Sequence, residues 1–214
     1  MNNLTVIYYT GQYEKPSFEK KIRENIMEMK GKVPLISVSQ KPLDFGKNIC
    51  VGEVGKSEYN AFKQMQIGIR AADTKFVCMT ESDILYPKEY FEFTPEKDDV
   101  FYIAKPHYTT FGSLKGKVSK FYEKPQGSEG VMICNRALLL NILDKELDEN
   151  FYSEHAPITF FSRVNRKRFI MKVPSIQFKT KDNLHKRTPL CMGTKAIELP
   201  RWGNCRDLVR RYYE

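Results

Sequence analysis

The chain has 214 residues, 41% of them hydrophobic and 29% charged, with 12 glycines and 11 prolines. This composition excludes a disordered, collagenous or low-complexity chain, and no apolar run approaches the ~20 residues that span a bilayer. The net charge of +9 is not spread evenly: residues 163–214 hold 14 basic and 4 acidic residues, whereas residues 1–162 hold 21 and 22.

Leu4 to Thr10 (LTVIYYT) is a β-rich run ended by Gly11. The N-terminus MNNLTVIYYTG lacks both a basic region and a long enough apolar stretch, so it reads as a first strand and not a secretory leader, with the product expected in the cytoplasm. Ser17 is the expected cap of a helix in which Phe18, Ile22, Ile26 and Met29 recur at helical spacing until Gly31. Pro34 to Ser39 is the second strand. A loop from Lys41 to Lys56 leads into a helix over about Ser57 to Ala72, with Phe62, Met65 and Ile69 on its buried stripe. Lys75 to Thr80 is an almost wholly apolar third strand, of the kind covered on both faces. Beyond it the pattern predicts strands near Val100 to Ala104, Val118 to Tyr122 and Gly130 to Cys134, then a helix over Ala137 to Leu147 and a shorter one from Ser153. Strands at Phe169 to Val173 and Ile176 to Lys179 and a final helix near Arg206 to Tyr213 complete the chain.

The β-α-β-α-β start predicts an α/β fold: a single domain over residues 1–214 with a mostly parallel central sheet flanked by helices. Five cysteines without a C-x-x-C pair fit reduced, mostly buried thiols, and no Cys/His spacing suits zinc. Ligands of such sheets bind beyond the carboxyl ends of the strands. The residues at those ends are Thr10-Gly11-Gln12, Gln40 to Lys47 and Glu81-Ser82-Asp83. Glu81 and Asp83 place two carboxylates where a ligand belongs, an arrangement suited to Mg²⁺ or Mn²⁺ with a substrate diphosphate. The plain alternative is a solvated turn before Pro87.

Here the chain resembles the GT-A glycosyltransferases, a Rossmann-like family, and especially their family-2-like branch. In them a helix carrying N-x-G-I-x-x-A leads into a hydrophobic strand ending in D-x-D. This chain reads Gln66-Ile67-Gly68-Ile69-Arg70-Ala71-Ala72, then FVCMT, then Glu81-Ser82-Asp83. Tyr9-Thr10-Gly11 occupies the place of the family's nucleotide-contacting turn, and the resemblance spans about residues 4 to 91. It departs from the pattern at Glu81, where the family has aspartate, and at Gln66, where it has asparagine. The run SVSQKPLDFGKNICVGEVG with SEYNAFKQ is similar to small glycosyltransferase-like proteins of bacteriophages and some bacteria.

The resemblance implies a nucleotide-sugar-binding half over 1–91, an acceptor half over 92–214, and a UDP-sugar donor held with Mn²⁺ or Mg²⁺. On it, Asp83 and Glu81 are metal ligands, and His185 is a third ligand or a diphosphate contact. The nucleoside lies over Tyr9, Thr10 and Gly11, with Ser57, Asn60 and Lys63 facing it. Lys186 and Arg187 neutralise the leaving diphosphate, and Glu154 is the base that deprotonates the acceptor hydroxyl. Ser57 also reads as a simple helix cap, Glu154 as a first-turn acid facing the helix dipole, and His185 as a surface residue. The basic final quarter, whose plain alternative is a solvated surface, makes DNA with hydroxymethylated bases the leading acceptor, as in phage DNA modification, and a lipid-linked or protein acceptor the next. Two other classes stay open. Phe121-Tyr122-Glu123-Lys124-Pro125 is similar to the F-x-E-K-P segment of sugar nucleotidyltransferases, although no G-G-x-G-T-R loop follows the first strand. A non-enzymatic nucleic-acid-binding protein displaying its basic tail is the other.

Overall fold

The computed structural model describes residues 3–111, 120–149, 164–183 and 193–214. In chain order the elements are β1 (Leu4–Thr10), α1 (Pro16–Lys30), β2 (Leu35–Ser39), β3 (Lys47–Cys50), α2 (Glu58–Arg70), β4 (Phe76–Glu81), β5 (Ile84–Leu85) and α3 (Lys88–Glu92). Then come β6 (Phe101–Phe111), β7 (Phe121–Glu123), a 3₁₀ turn (Glu129–Val131), β8 (Met132–Asn135), α4 (Arg136–Glu149), β9 (Arg166–Lys179), β10 (Lys195–Ala196), β11 (Glu198–Leu199), β12 (Gly203–Asn204) and α5 (Cys205–Tyr212).

The architecture is mixed α/β with one large sheet. Its first half runs β3-β2-β1-β4, every neighbour parallel. The second half is mostly antiparallel: β8 joins β4 to β6, β7 pairs the far end of β6, and β10 pairs β7. Strand β9 lies parallel to β6 over its length and carries the short β5. The chain leaves β1 toward β2 and returns to β4 on the other side of β1. The carboxyl ends of β1 and β4 therefore form the topological switch point of the sheet.

Local chemistry explains each element near that point. All seven residues of β1 are buried, because helices cover both sheet faces. Helix α1 starts two residues earlier than the sequence suggests: Lys15 is the cap position, Pro16 fills the first turn where its missing N–H costs nothing, and Ser17 lies inside the helix. Gly31 ends it with φ +56°. Ser57 caps α2, its hydroxyl accepting from the Asn60 amide N–H at 3.1 Å. Gly68 lets α2 approach the sheet: a Cβ there would stand 2.7 Å from Ile7 Cγ2 and 3.1 Å from Val38 Cγ2. The glycine of the Gln66–Ala72 segment thus serves helix-to-sheet packing.

Two local expectations are corrected. The Lys41–Lys56 stretch holds a strand, β3, whose half-exposed edge position left no apolar alternation to read. The two strands expected at 169–173 and 176–179 are one strand, β9. Pro174 lacks a donor, and β6 and β9 shift register between Lys105 and His107, so the ladder passes the proline at an irregularity. The strand expected at 118–122 is described from Phe121 on, and the helix expected from Ser153 lies outside the described residues. Trp202 anchors the basic tail, donating its indole N–H to the Pro174 carbonyl at 2.7 Å. Cys78, Cys134 and Cys205 are buried free thiols.

Candidate functional site

The register of the parallel strands pairs Tyr9 of β1 with Glu81 of β4, so the two residues reach the switch point together. The Tyr9 hydroxyl donates to Glu81 Oε1 at 2.7 Å. Glu81 Oε2 has a 3.5 Å contact with Gln177 Nε2. The carboxylate fits only because residue 130 is glycine: a Cβ there would lie 2.6 Å from Glu81 Cδ. Tyr86 braces the strand end, accepting from the Glu81 N–H at 2.9 Å and donating to the Gly130 carbonyl at 2.7 Å. Asn25 clamps the Tyr86 backbone from α1 through both its amide groups.

Asp83 is placed by β9. The Phe178 N–H donates to the Asp83 carbonyl at 2.8 Å, and β5 pairs Ile84 with Gln177. Asp83 Oδ2 accepts from Gln177 Nε2 at 3.1 Å and from Asn183 Nδ2 at 2.9 Å, with Lys179 Nζ at 3.8 Å. Its other oxygen, Oδ1, is buried with no hydrogen-bond partner among the described residues. Burial raises the pKa of both acids above the usual carboxylate range. The Asp83 charge pushes Glu81 further up, while Lys179 opposes the rise at Asp83.

Two charged groups border the pair, and Tyr13 lies beside Gly11 at the end of β1. Lys124, just after β7, donates to Gln177 Oε1 at 3.2 Å; burial and then the Lys179 charge pull its ammonium below the usual lysine value. Glu14 is buried, accepts from the Thr180 hydroxyl at 2.6 Å, and leaves its Oε2 unpaired among the described residues; burial raises its pKa. Tyr13, 42% exposed, lays its ring against Gly11, where a Cβ would meet the ring at 2.2 Å. A shallow groove along Glu198, Leu199, Pro200, Arg201 and Gly203 shares no residue with this site.

The structure brings Tyr9, Thr10, Gly11, Glu81 and Asp83 together at the switch point. Tyr9 is buried, with its hydroxyl engaged by Glu81 and its face not open. Thr10 is buried and donates to Glu19 Oε1 at 3.2 Å. Ser57 acts as a helix cap, and the Asn60 amide holds the Val54 and Gly55 carbonyls at 2.7 and 3.0 Å. Lys63 lies one turn further along α2. Glu154, His185, Lys186 and Arg187 lie outside the described residues. Sequence reasoning missed Gln177, Lys179, Asn183, Lys124 and Glu14 as site residues. Only Lys124 carried a signal, inside the Phe121–Pro125 segment.

The acid pair suits a hard divalent cation. Asp83 Oδ1 is a buried acceptor without a donor, Glu81 Oε2 has only a long contact, and such ions take one or two carboxylates plus substrate phosphates. Among the described residues, no cluster of three metal-binding His, Cys, Asp or Glu side chains forms. The chain's described contribution would be Asp83 and Glu81. No described helix is long and apolar enough to cross a membrane.

No protein-family model and no curated protein matches the sequence. Solved structures to which the chain is similar include glycosyltransferases. Bifunctional IspDF from Campylobacter jejuni is 10% identical over 78% of this chain and 49% of that one, with a TM-score of 0.44. A glycosyltransferase involved in glycosylation of the major capsid of PBCV-1 is 13% identical over 78% and 81%, at 0.42. The mannosyltransferase PcManGT from Pyrobaculum calidifontis, in complex with GDP-Man and Mn²⁺, is 13% identical over 87% of this chain and 58% of that one, at 0.46. This chain therefore spans about half the length of the first and under two thirds of the third. Similarity this low carries no functional argument, and the reading below rests on the site residues.

Proposed function

We propose that this chain is a glycosyltransferase that moves a sugar from a nucleoside-diphosphate donor, a UDP-sugar, to an acceptor hydroxyl, assisted by Mn²⁺ or Mg²⁺. The observation that carries the reading is the pair of half-buried Glu81 and buried Asp83 at the carboxyl end of the central parallel strands, with Lys124 and Lys179 beside it. A bound divalent cation would supply charge neutralisation at the leaving diphosphate. Tyr9 holds Glu81, and Gln177 with Asn183 holds Asp83, so both carboxylates are oriented before donor arrives. Tyr13, partly exposed beside Gly11 with the Lys56 ammonium 5.5 Å from its ring centroid, is a further proposed contact to the nucleoside. Glu154 remains the proposed base, and His185, Lys186 and Arg187 the proposed contacts to the diphosphate.

For the acceptor, the reading extends to hydroxymethylated bases in phage DNA. It draws support from the exposed Arg166, Lys167, Arg168 and Lys172 of β9 and Arg206, Arg210 and Arg211 of α5. A sugar nucleotidyltransferase is the second reading, favoured by the position of Lys124 of the Phe121–Pro125 segment beside the acids. The test is turnover of a panel of nucleotide-sugars with Mn²⁺, read as nucleoside diphosphate release with and without acceptor. The reading predicts one productive donor and a loss of about 100-fold or more in Asp83→Ala. Formation of nucleotide-sugar from a sugar phosphate and a nucleoside triphosphate, with no turnover of any donor, would establish the second reading instead.

A further inference from the structure

We propose that Lys124 and Lys179 form a two-lysine anion site that grips the donor diphosphate directly, so that part of the nucleotide affinity needs no divalent cation. This rests on the nucleotide-donor reading above and deepens it. The two lysines come from different elements, the segment after β7 and the last residue of β9, and converge on one polar group: Lys124 donates to Gln177 Oε1 at 3.2 Å, and Gln177 Nε2 and Lys179 Nζ both reach Asp83 Oδ2, at 3.1 and 3.8 Å. Neither ammonium is fully engaged among the described residues. There Lys124 makes one hydrogen bond, to the neutral Gln177 Oε1 at 3.2 Å, and an ammonium has three donors. Lys179 lies 3.8 Å from Asp83 Oδ2, an ion pair too long for a hydrogen bond.

Gln177 explains why Lys124 forms no ion pair with the acids. Its Nε2 must face Asp83 and Glu81, which only accept, and its Oε1 must face Lys124, which only donates. A neutral amide thus stands between Lys124 and the acids and prevents a closed salt bridge. Lys105 is a contrast: it donates to the Lys124 carbonyl at 2.6 Å and pairs with Glu123 at 3.6 Å. Two sheltered ammoniums that repel each other beside an acid pair are best compensated by a multivalent anion, and a diphosphate presents oxygens to both.

Inorganic pyrophosphate is the probe, titrated calorimetrically in EDTA and in Mg²⁺, with UDP and other nucleoside diphosphates run in parallel. Wild type is expected to bind pyrophosphate in EDTA. Lys124→Met and Lys179→Met are each expected to weaken it about tenfold or more, the loss of one charge-assisted contact. Asp83→Asn is expected to remove only the increment that Mg²⁺ adds. Methionine variants that melt like wild type and bind pyrophosphate equally well would overturn the proposal and leave the donor reading standing. Pyrophosphate binding without binding of UDP or any other nucleoside diphosphate would overturn the donor reading alone, and binding of none of them would overturn both. Should a methionine variant fail to fold, wild-type protein with ¹³C-methylated lysines carries the test. Pyrophosphate should shift the two resonances that Lys124→Arg and Lys179→Arg delete, and saturation without those shifts would overturn the proposal.

Discussion

Burial works against charge at several single residues of this chain, and Glu19 shows it most simply. It is 3% exposed, and burial raises its pKa from the ordinary 4.5 to about 7, opposed by Arg23 and the Thr10 hydroxyl. A carboxyl whose folded pKa lies above its unfolded value keeps its proton longer in the folded chain. Stability should therefore fall as pH rises from about 4.5 to about 7, by on the order of 3 kcal/mol from Glu19. Glu81 and Asp83, also raised, add to the slope with the same sign. Urea midpoints across pH 5 to 8 check this: wild type should lose stability with rising pH, and Glu19→Gln should show a flatter profile. Gly130 makes a second case. Its missing Cβ leaves room for the Glu81 carboxylate, so Gly130→Ala should disturb the acid pair and weaken Mn²⁺-dependent nucleotide binding, with a smaller effect in EDTA.

At the scale of elements, what could be read from sequence was what local pattern controls. Strand β1, helix α2 and strand β4 appeared at nearly their observed bounds because their apolar periodicity is continuous, and Glu81 and Asp83 followed from their place after an apolar strand. The partners of the pair were not legible. Gln177 lies 94 residues and Asn183 100 residues from Asp83, and only the β5–β9 pairing brings them there. No periodicity encodes that pairing. The contact of α2 with the sheet is a further test of element packing. Gly68→Ala forces a methyl into Ile7 and Val38 and should cost about 1–3 kcal/mol, read as a lower thermal midpoint with the nucleotide site intact.

Across the whole molecule, charge is divided by position: the acids of the candidate site sit at the centre of the sheet, while much of the basic excess lies in the final quarter. Duplex DNA should bind at low salt and dissociate steeply as salt rises, with weaker binding when Arg166 and Arg168 become glutamine. Gel-shift assays at graded ionic strength measure this, and no binding at low salt would remove the DNA acceptor while leaving the transferase untouched. The central claim is the nucleotide site at the switch point of β1 and β4. Its most direct test is calorimetric titration of UDP, and then of other nucleoside diphosphates, into wild type and Asp83→Ala, each with Mn²⁺ and with EDTA. The account predicts binding by wild type that Mn²⁺ strengthens, and no Mn²⁺ strengthening in the variant. Failure of every nucleoside diphosphate to bind wild type in either condition would contradict it.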